Sequence, residues 1–487
     1  MKKYIFMAII LLFSDVFFVT GTTKLGDIIF QGFGWKEYNQ SKVILSGSYY
    51  KYIQSKIDDL KDAGFTIIWM PNVLNSPDST YKNSSVQKKE ILDYVWGDSS
   101  ELSTLIRALQ LVGIRTVADV NILNNLNSPT IIDMSCDLGA QKEMYVNQTD
   151  EQIVQNLKDL IMLGFEGWRL NTIKGKLSRE LKEYINSTHH YFSFGENWDT
   201  SENGVFKYSV EDSVSTATSD YLLYYSMMLE GFEEGNWERL GHDQSMGGLV
   251  GVEKQAEKVV TFVDNVNTFN KRSSEETTEF MNKIMMGYAY ILTHPGIPSV
   301  FLPHYYGGNY SKDGITVDYG NGIKPFIDSL LVLRKINNIS TDSKIKVSSN
   351  SSYYSDYIYT NDGTPSIALS LGHNSGLWQP TGDGWKIAMS GLNYKIWAKN
   401  INKEKMEMNN KVDNLLSIYP NPTFGRIKLL KPDIISIVIT NVVGKTMFSD
   451  PDFEGEDVDI SSYASGTYVV IATDTKGMKY SSLVLKR

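Results

Sequence analysis

Residues 149–171, TDEQIVQNLKDLIMLGFEGWRLN, form a helix-then-strand unit of the kind that decides this fold. Thr149 and Gln152 have the spacing of a capping box, in which side chains and backbone N–H groups satisfy each other at the start of a helix. The apolar residues that follow recur at helical spacing and predict one buried face: Ile153, Leu157, Leu160 and Ile161. The stretch therefore predicts a helix followed by a strand that ends in polar residues, Gly167–Asn171.

The same alternation continues on both sides of this unit, from about Asp27 to Ser340. Three apolar runs are typical of buried parallel strands: Thr66–Met70, Thr116–Val120 and Val259–Val263. Helical faces lie between them, one made of Ile53, Ile57 and Leu60, the other of Leu102, Leu105, Ile106 and Leu109. Repeated units of this kind favour an α/β fold with a (β/α)8 TIM barrel over an open sheet. No glycine-rich phosphate fingerprint supports a dinucleotide-binding sheet.

Polar side chains follow the ends of these strands, where the loops of a barrel all open on one face. The set comprises Asp119, Arg169, Asn171, Glu196, Asp264 and Asn267. Each residue taken singly is explained by a helix cap or a strand-end hydrogen bond. The set as a whole predicts a functional site at this end of the barrel.

The alternation stops after Ser340, and the composition divides the rest of the chain into three parts. Residues 341–398 are rich in Ser, Tyr and Gly and predict an antiparallel β-sheet domain. Residues 399–413 are charged and rich in Asn, which is typical of a linker. Residues 414–487 predict a small β-sandwich domain with strands at Ser436–Thr440 and Thr467–Thr473.

The first residues have the order of a secretory signal. Lys2 and Lys3 precede a mainly apolar run from Tyr4 to Val19, and small residues follow it, so we predict a signal peptide over 1–22. No other segment approaches the length of a membrane span, so we predict no transmembrane anchor in the mature chain.

Composition excludes two further classes of protein. The net charge of −9 argues against nucleic acid as a partner, because phosphates require a basic face. The lone cysteine, Cys136, excludes an intrachain disulfide framework.

Three ordered stretches carry a family resemblance: Ile29–Trp35 (IFQGFGW), Tyr288–Pro298 (YAYILTHPGIP) and Tyr394–Trp397 (YKIW). With the strand ends above, they resemble glycoside hydrolase family 13, and plant-type α-amylases in particular, from Ile28 to Lys399. The resemblance implies a catalytic-type barrel over 23–340, with a shortened loop domain near 124–147. It also implies α-1,4-glucans of the starch or glycogen type as the substrate class.

Two of the three catalytic carboxylates expected from this resemblance are absent. Glu196 occupies the position of the family's general acid. Asn171, two residues after Arg169, occupies the position of the nucleophilic Asp, and Asn267 the position of the Asp that stabilises the transition state. A retaining glycosidase needs two carboxyl groups about 5–5.5 Å apart, one as acid and one as nucleophile. Because an amide is neutral and weakly nucleophilic, these asparagines predict impaired hydrolysis.

Other positions of the motifs differ as well. Asp119 is retained, but Leu123 and Asn124 stand where the family has Asn and His, and Val266 stands where it has His. The predicted substrate-binding residues are Asp119, Trp168, Arg169, Lys174 and Trp198. Asn is nearly isosteric with Asp, so the shape of the cleft is expected to persist.

Three functions remain open on this sequence. The first is a weakly active or inactive homologue that binds glucans. The second is an active α-amylase with Glu196 as acid and an altered nucleophile arrangement, for which Asp199 is the one stand-in near the cleft. The third is a surface adhesion or scaffold protein that reuses the fold.

The resemblance also implies a structural calcium ion, held between the barrel and its loop domain. Leu123 stands at one of the expected ligand positions. Asp133 and Asp137 are candidate oxygen ligands in the following segment, but two carboxylates in a loop are more often solvated than bound to metal. We therefore assign no metal site.

The last domain carries a second resemblance. Ser417–Thr423 (SIYPNPT), Asn441–Lys445, Asp459–Ser461 and Gly466–Tyr468 follow, in order, the pattern of the type IX secretion sorting domain of the Bacteroidetes. The alternative is a generic β-sandwich adhesion module, but the SIYPNPT start is specific. With the signal peptide, the resemblance implies the type IX secretion machinery as a partner. The implied destination is secretion or the outer-membrane surface.

Overall fold

The structure, a computed structural model, divides into two compact units, Met1–Ile401 and Asn402–Arg487. It describes residues 26–33, 47–71, 73, 97–121, 149–171, 179–196, 216–242, 245–252, 256–268, 277–312, 315–319, 322–360, 363–401, 416, 418–419, 423–429, 433–441, 445–455, 457–475 and 479–486. The predicted signal peptide, 1–22, lies outside these residues.

The first unit contains a closed barrel of eight parallel strands in the spatial order β1-β10-β9-β6-β5-β4-β3-β2. The strands are β1 Ile29–Gln31, β2 Ile67–Met70, β3 Arg115–Asn121, β4 Gly167–Asn171, β5 Phe192–Gly195, β6 Ala217–Ser219, β9 Val259–Phe262 and β10 Ile297–Phe301. A two-stranded hairpin, β7 Gly241–His242 and β8 Ser245–Met246, lies between β6 and β9 in sequence. The predicted (β/α)8 barrel is confirmed.

Helices alternate with these strands along the chain. They are α1 Tyr49–Gln54, α2 Ile57–Ala63, α3 Ser99–Leu111, α4 Asp150–Leu163, α5 Arg179–Ser187, α6 Tyr221–Tyr224, α7 Thr277–Thr293, α8 Leu302–Tyr306 and α9 Lys324–Ile336. Helix α6 continues as a π-helical segment, Tyr225–Gly231.

Helix α4 begins with the predicted capping box between Thr149 and Gln152. Its predicted face is buried at Ile153, Leu157 and Leu160, but the side chain of Ile161 is 40% exposed, so its assignment to the core was wrong. Ile161 lies eight residues after Ile153, which rotates it about 80° around the helix axis, to the edge of the face.

The predicted face of Ile53, Ile57 and Leu60 is also buried, but two helices carry it instead of one. Helix α1 ends before Ser55, whose hydroxyl donates to the carbonyl oxygen of Tyr52. A serine that bonds the backbone in this way competes with helix continuation, and α2 starts a new helix at Ile57.

An antiparallel sheet follows the barrel within the same unit. Its strands are β13 Ile345–Val347, β14 Tyr354–Tyr359, β15 Pro365–Leu371, β16 Lys386–Gly391 and β17 Tyr394–Ala398, in the order β13-β14-β15-β17-β16. A hairpin, β11 Asn309–Lys312 and β12 Ile315–Asp318, precedes it. The predicted antiparallel sheet is confirmed.

The second unit consists of a three-stranded and a four-stranded antiparallel sheet. Its strands are β18 Ile418–Tyr419, β19 Arg426–Leu429, β20 Ile434–Asn441, β21 Thr446–Asp450, β22 Asp457–Asp459, β23 Gly466–Asp474 and β24 Lys479–Lys486. Ile427 and Val458 of the smaller sheet share one core with Ile437, Val470 and Val484 of the larger. The predicted sandwich is confirmed. No helix among the described residues of the chain is long and apolar enough to span a membrane.

Candidate active site

Arg169 lies near the end of β4 and connects two carboxylates. Its Nη1 donates to Oδ1 and Oδ2 of Asp119 at 2.9 and 3.2 Å, from the position directly opposite on β3. Its Nη2 forms an ion pair with Glu196. Burial opposes the charged form, but Asp119 and Glu196 together raise the pKa of Arg169 above its usual value. The guanidinium is therefore a fixed cation between the two carboxylates.

Glu196 follows β5 directly, and its side chain is only 2% exposed. Asn267 Nδ2 donates to both of its oxygens, Oε1 at 2.9 Å and Oε2 at 3.0 Å. The hydroxyl of Tyr221 donates to Oε1 at 2.9 Å. Within the part of the chain that the structure describes, Glu196 is thus surrounded by hydrogen-bond donors.

A turn after β9 holds Asn267 in this position. Asn265 Oδ1 accepts the backbone N–H groups of Asn267, at 2.8 Å, and Thr268, at 3.2 Å. Asp264 Oδ1 accepts the N–H of Asn265 at 3.3 Å and the hydroxyl of Thr268. Asx turns of this kind form from local sequence, so the segment DNVNT presents Asn267 to Glu196 by its own hydrogen bonds.

Asp264 contacts a second buried group, which the sequence did not reveal. Its Oδ2 faces His304 Nε2 at 3.8 Å, and His304 Nδ1 lies 3.0 Å from the hydroxyl of Tyr288. The backbone N–H of Phe301 donates to that hydroxyl at 3.0 Å. The hydroxyl of Tyr288 thus joins His304 to the backbone at the end of β10.

Trp168 does not have the substrate-binding role predicted for it. Its side chain is fully buried, and its ring stacks on His190 with 4.6 Å between centroids. Successive side chains of a strand point to opposite faces. Because Arg169 points into the barrel, its neighbour points toward the helix layer, where no sugar in the barrel mouth can reach it.

Several predicted residues are only partly described, or not at all. The backbone of Asn171 pairs with Asn121 at the end of β4, but its side chain is not described. Lys174 and Trp198 lie outside the described residues, as do Leu123, Asn124, Asp133, Asp137 and Asp199. Among the residues that are described, no group of three or more His, Cys, Asp or Glu side chains is placed to hold a metal ion. The calcium expectation falls on the residues outside the description.

Known proteins resemble this chain along most of its length. Alpha-amylase 3, chloroplastic, of Arabidopsis thaliana is 24% identical over 436 residues, which are 79% of this chain but only 45% of that protein. Probable alpha-amylase 2 of the same plant is 24% identical over 421 residues, 77% of this chain and 94% of that protein. Alpha-amylase type B isozyme of Hordeum vulgare is 30% identical over 164 residues, 34% of this chain and 93% of that protein.

The chain belongs to the α-amylase family. This agrees with the closed barrel and with the order of the motifs along β1, β4 and β9. The residues 417–486 of this α-amylase homologue match the model of a second family, the secretion system C-terminal sorting domain. That match indicates secretion.

Proposed function

We propose that this chain is a secreted α-amylase homologue that binds α-1,4-glucans at its barrel mouth and hydrolyses them weakly or not at all. One observation carries the proposal: the amide nitrogen of Asn267 donates to both oxygens of Glu196. A carboxylate at this position could only accept hydrogen bonds. Asn267 in place of the expected Asp therefore presents a hydrogen-bond donor to Glu196 instead of an acceptor, and it also removes a negative charge.

The missing charges bear on the transition state. Glycoside cleavage develops positive charge on the sugar ring, and a nearby carboxylate stabilises that charge. Loss of one preorganised electrostatic partner in a closed site costs about 3–4 kcal/mol of transition-state stabilisation. Asn171 stands at the second lost carboxylate, and the two losses do not simply add, because the groups act as a unit.

Glucan binding needs less than catalysis does. Asp119 is 14% exposed and held by Arg169, so a fixed acceptor remains for sugar hydroxyls. Lys174 and Trp198, which follow β4 and β5 in sequence, are proposed to add a hydrogen-bond donor and a stacking surface. Sugars bind by such contacts without any need for a nucleophile.

Export is proposed to proceed in two stages. The segment 1–22 would direct the chain out of the cytoplasm, and the sorting domain would then deliver it through the type IX machinery to the medium or the outer-membrane surface. A glucan-binding protein at that location would hold polysaccharide near the cell.

Three proteins test the catalytic part of the proposal: the native chain, Glu196→Gln, and Asn171→Asp/Asn267→Asp. Reducing-sugar release from soluble starch and retention in a glucan affinity gel are measured for each. We expect retention without appreciable release for the native chain, and a gain of release for the double variant. Glu166→Gln is the matched control, because Glu166 pairs with Arg115 at the opposite end of the barrel strands, at 2.8 Å.

The outcomes separate the competing functions. Robust release by the native chain that Glu196→Gln abolishes would show an active α-amylase with an altered nucleophile arrangement. Neither release nor retention would leave the scaffold function. Retention that Glu166→Gln leaves unchanged supports the glucan-binding homologue.

A further inference from the structure

Tyr221 is placed beside Glu196 by a rigid helix start. It begins α6, and the preceding residue, Asp220, caps that helix by accepting the N–H of Leu223 at 2.9 Å. Asp220 also accepts the N–H groups of Leu249, at 3.1 Å, and Val250, at 2.9 Å. A carboxylate fixed by three backbone groups leaves the next residue little freedom.

The ring of Tyr221 is fully buried and packs edge-on against Phe262, with 5.0 Å between centroids. Burial and the negative charge of Glu196 raise the pKa of its hydroxyl well above the usual value for tyrosine. The phenol therefore keeps its proton at neutral pH and has a hydrogen to donate.

The contact of Tyr221 with Asn265 fixes the direction of this hydrogen bond. Asn265 Oδ1 is occupied by two backbone N–H groups of its own turn, so its nitrogen faces the hydroxyl of Tyr221, at 3.1 Å. The hydroxyl oxygen of Tyr221 then accepts from Asn265, and the hydroxyl donates its proton to Oε1 of Glu196. Amide orientations are normally ambiguous, but here the backbone donors settle the assignment.

The consequence concerns the chemistry required of Glu196. A general acid must carry a proton on a carboxyl oxygen and pass it to the glycosidic oxygen as the C1–O bond breaks. Oε1 receives Tyr221, Asn267 and the guanidinium of Arg169. Asn267→Asp would replace one of these donors by an acceptor, but the hydroxyl of Tyr221 would remain.

We propose that Tyr221 is a positioning residue that holds Glu196 as a hydrogen-bond acceptor, and so is a third block to hydrolysis besides Asn171 and Asn267. This inference rests on the proposed function of the same site. It implies that the two carboxylates alone do not restore full activity. The hydroxyl group of Tyr221, which contacts Glu196, must be removed as well.

Two substrates isolate the proton transfer. Starch has an alcohol leaving group that needs the proton of Glu196, whereas the fluoride of an α-maltosyl fluoride leaves as an anion with the electrons of the C–F bond. We compare Asn171→Asp/Asn267→Asp with the same variant carrying Tyr221→Phe. Loss of one hydrogen bond to a charged group predicts a rise of about tenfold or more in kcat/KM for starch. No change is expected for the fluoride.

Tyr290→Phe in the same double variant is the matched control. It also removes one buried hydroxyl hydrogen bond, to the carbonyl oxygen of Leu240 at 2.6 Å. No gain on starch is expected from it. Equal rates on starch with and without Tyr221→Phe would overturn the inference, as would equal gains on both substrates.

The fluoride also separates failure of the inference from failure of the proposed function. Its cleavage needs the two restored carboxylates but no proton from Glu196, so an inactive double variant would contradict the proposed roles of positions 171 and 267. Infrared difference spectra then still test Tyr221. Tyr221→Phe removes a hydrogen bond to Oε1 of Glu196 and should therefore shift the carboxylate band of Glu196, which Glu196→Gln identifies. An unshifted band would overturn the inference.

Discussion

The barrel mouth and the junction between the barrel and the antiparallel sheet are both buried polar networks, yet they differ in what surrounds the carboxylate. At the mouth, Glu196 directly follows β5 and is bonded to Arg169, Tyr221 and Asn267. At the junction, Asp356 of β14 contacts His294 and accepts the hydroxyl of Tyr354 at 2.7 Å, and all three side chains are fully buried. Burial, charge and hydrogen bonding alone therefore do not mark a functional site.

Arg334 strengthens the junction through hydrogen bonds to the backbone. Its Nη1 donates to the carbonyl oxygens of Leu292, at 3.3 Å, and His294, at 2.6 Å, and its Nη2 to that of Gly296, at 3.2 Å. Burial lowers the pKa of this guanidinium to about 10. Arg334 is bonded to backbone carbonyls, whereas Arg169 is bonded to two carboxylates. Arg334 thus fixes the backbone at the junction, whereas Arg169 holds the side chains of Asp119 and Glu196 at the mouth.

The largest effect is expected at the junction, from Asp356→Ala. Removal of one partner leaves His294 and Tyr354 buried without their acceptor, which costs about 3 kcal/mol or more of unfolding free energy. Denaturant unfolding measures this loss. Asp383→Ala, at an exposed loop position, is the matched control and should change the unfolding free energy by at most about 0.5 kcal/mol. A junction variant as stable as this control would remove the distinction between the two networks.

A smaller effect is expected from Asp220. This residue lies near the mouth, but like Arg334 at the junction it is bonded to backbone groups. Burial raises its pKa from 3.8 to about 6, against the opposing effect of three backbone N–H groups. Its folded-state pKa is raised, so its contribution to stability is complete below pH 4 and is lost as the pH rises through 6. The stability difference between the native chain and Asp220→Asn should fall over this window by about 2 kcal/mol. A difference independent of pH would contradict the assignment.

The smallest effect is expected at the mouth, from Arg169→Lys. A lysine cannot bond both Asp119 oxygens and Glu196 at once, because it lacks the planar fork of a guanidinium. We expect glucan affinity to fall about tenfold, the equivalent of one charge-assisted hydrogen bond, with the fold retained. Titration of a maltooligosaccharide measures the affinity. Arg115→Lys, at the other end of the barrel, should bind as the native chain does.

Sequence reasoning predicted the barrel because buried parallel strands such as β2 and β9 are nearly continuous apolar runs. It offered Trp168 as a stacking residue for sugars, whereas the side chain is fully buried and stacks on His190. The alternation of side chains along a strand would have predicted the opposite orientation. The strand register that aligns Asp119 with Arg169 follows from the fold and not from either motif alone.

Tyr221, Tyr288 and His304 were not predicted to belong to the site. All three lie on helices, and although Tyr288 belongs to a stretch that carries the family resemblance, their contacts join residues far apart in sequence, as between Tyr221 and Glu196. The strand before Tyr221 is too short, at three residues, to show any periodicity. A tyrosine directly after the cap residue Asp220 was the one local signal, and such a signal is common in helices that have no function.

The most direct test of the central claim is the initial rate of sugar release from soluble starch, measured for the native chain against its Glu196→Gln variant. Because Asn267 donates to Glu196 where a carboxylate is expected, we predict that the two rates are equal within error and close to that of starch alone. A native rate far above that of Glu196→Gln would contradict the claim, because it would show that Glu196 acts as a general acid in the presence of both asparagines.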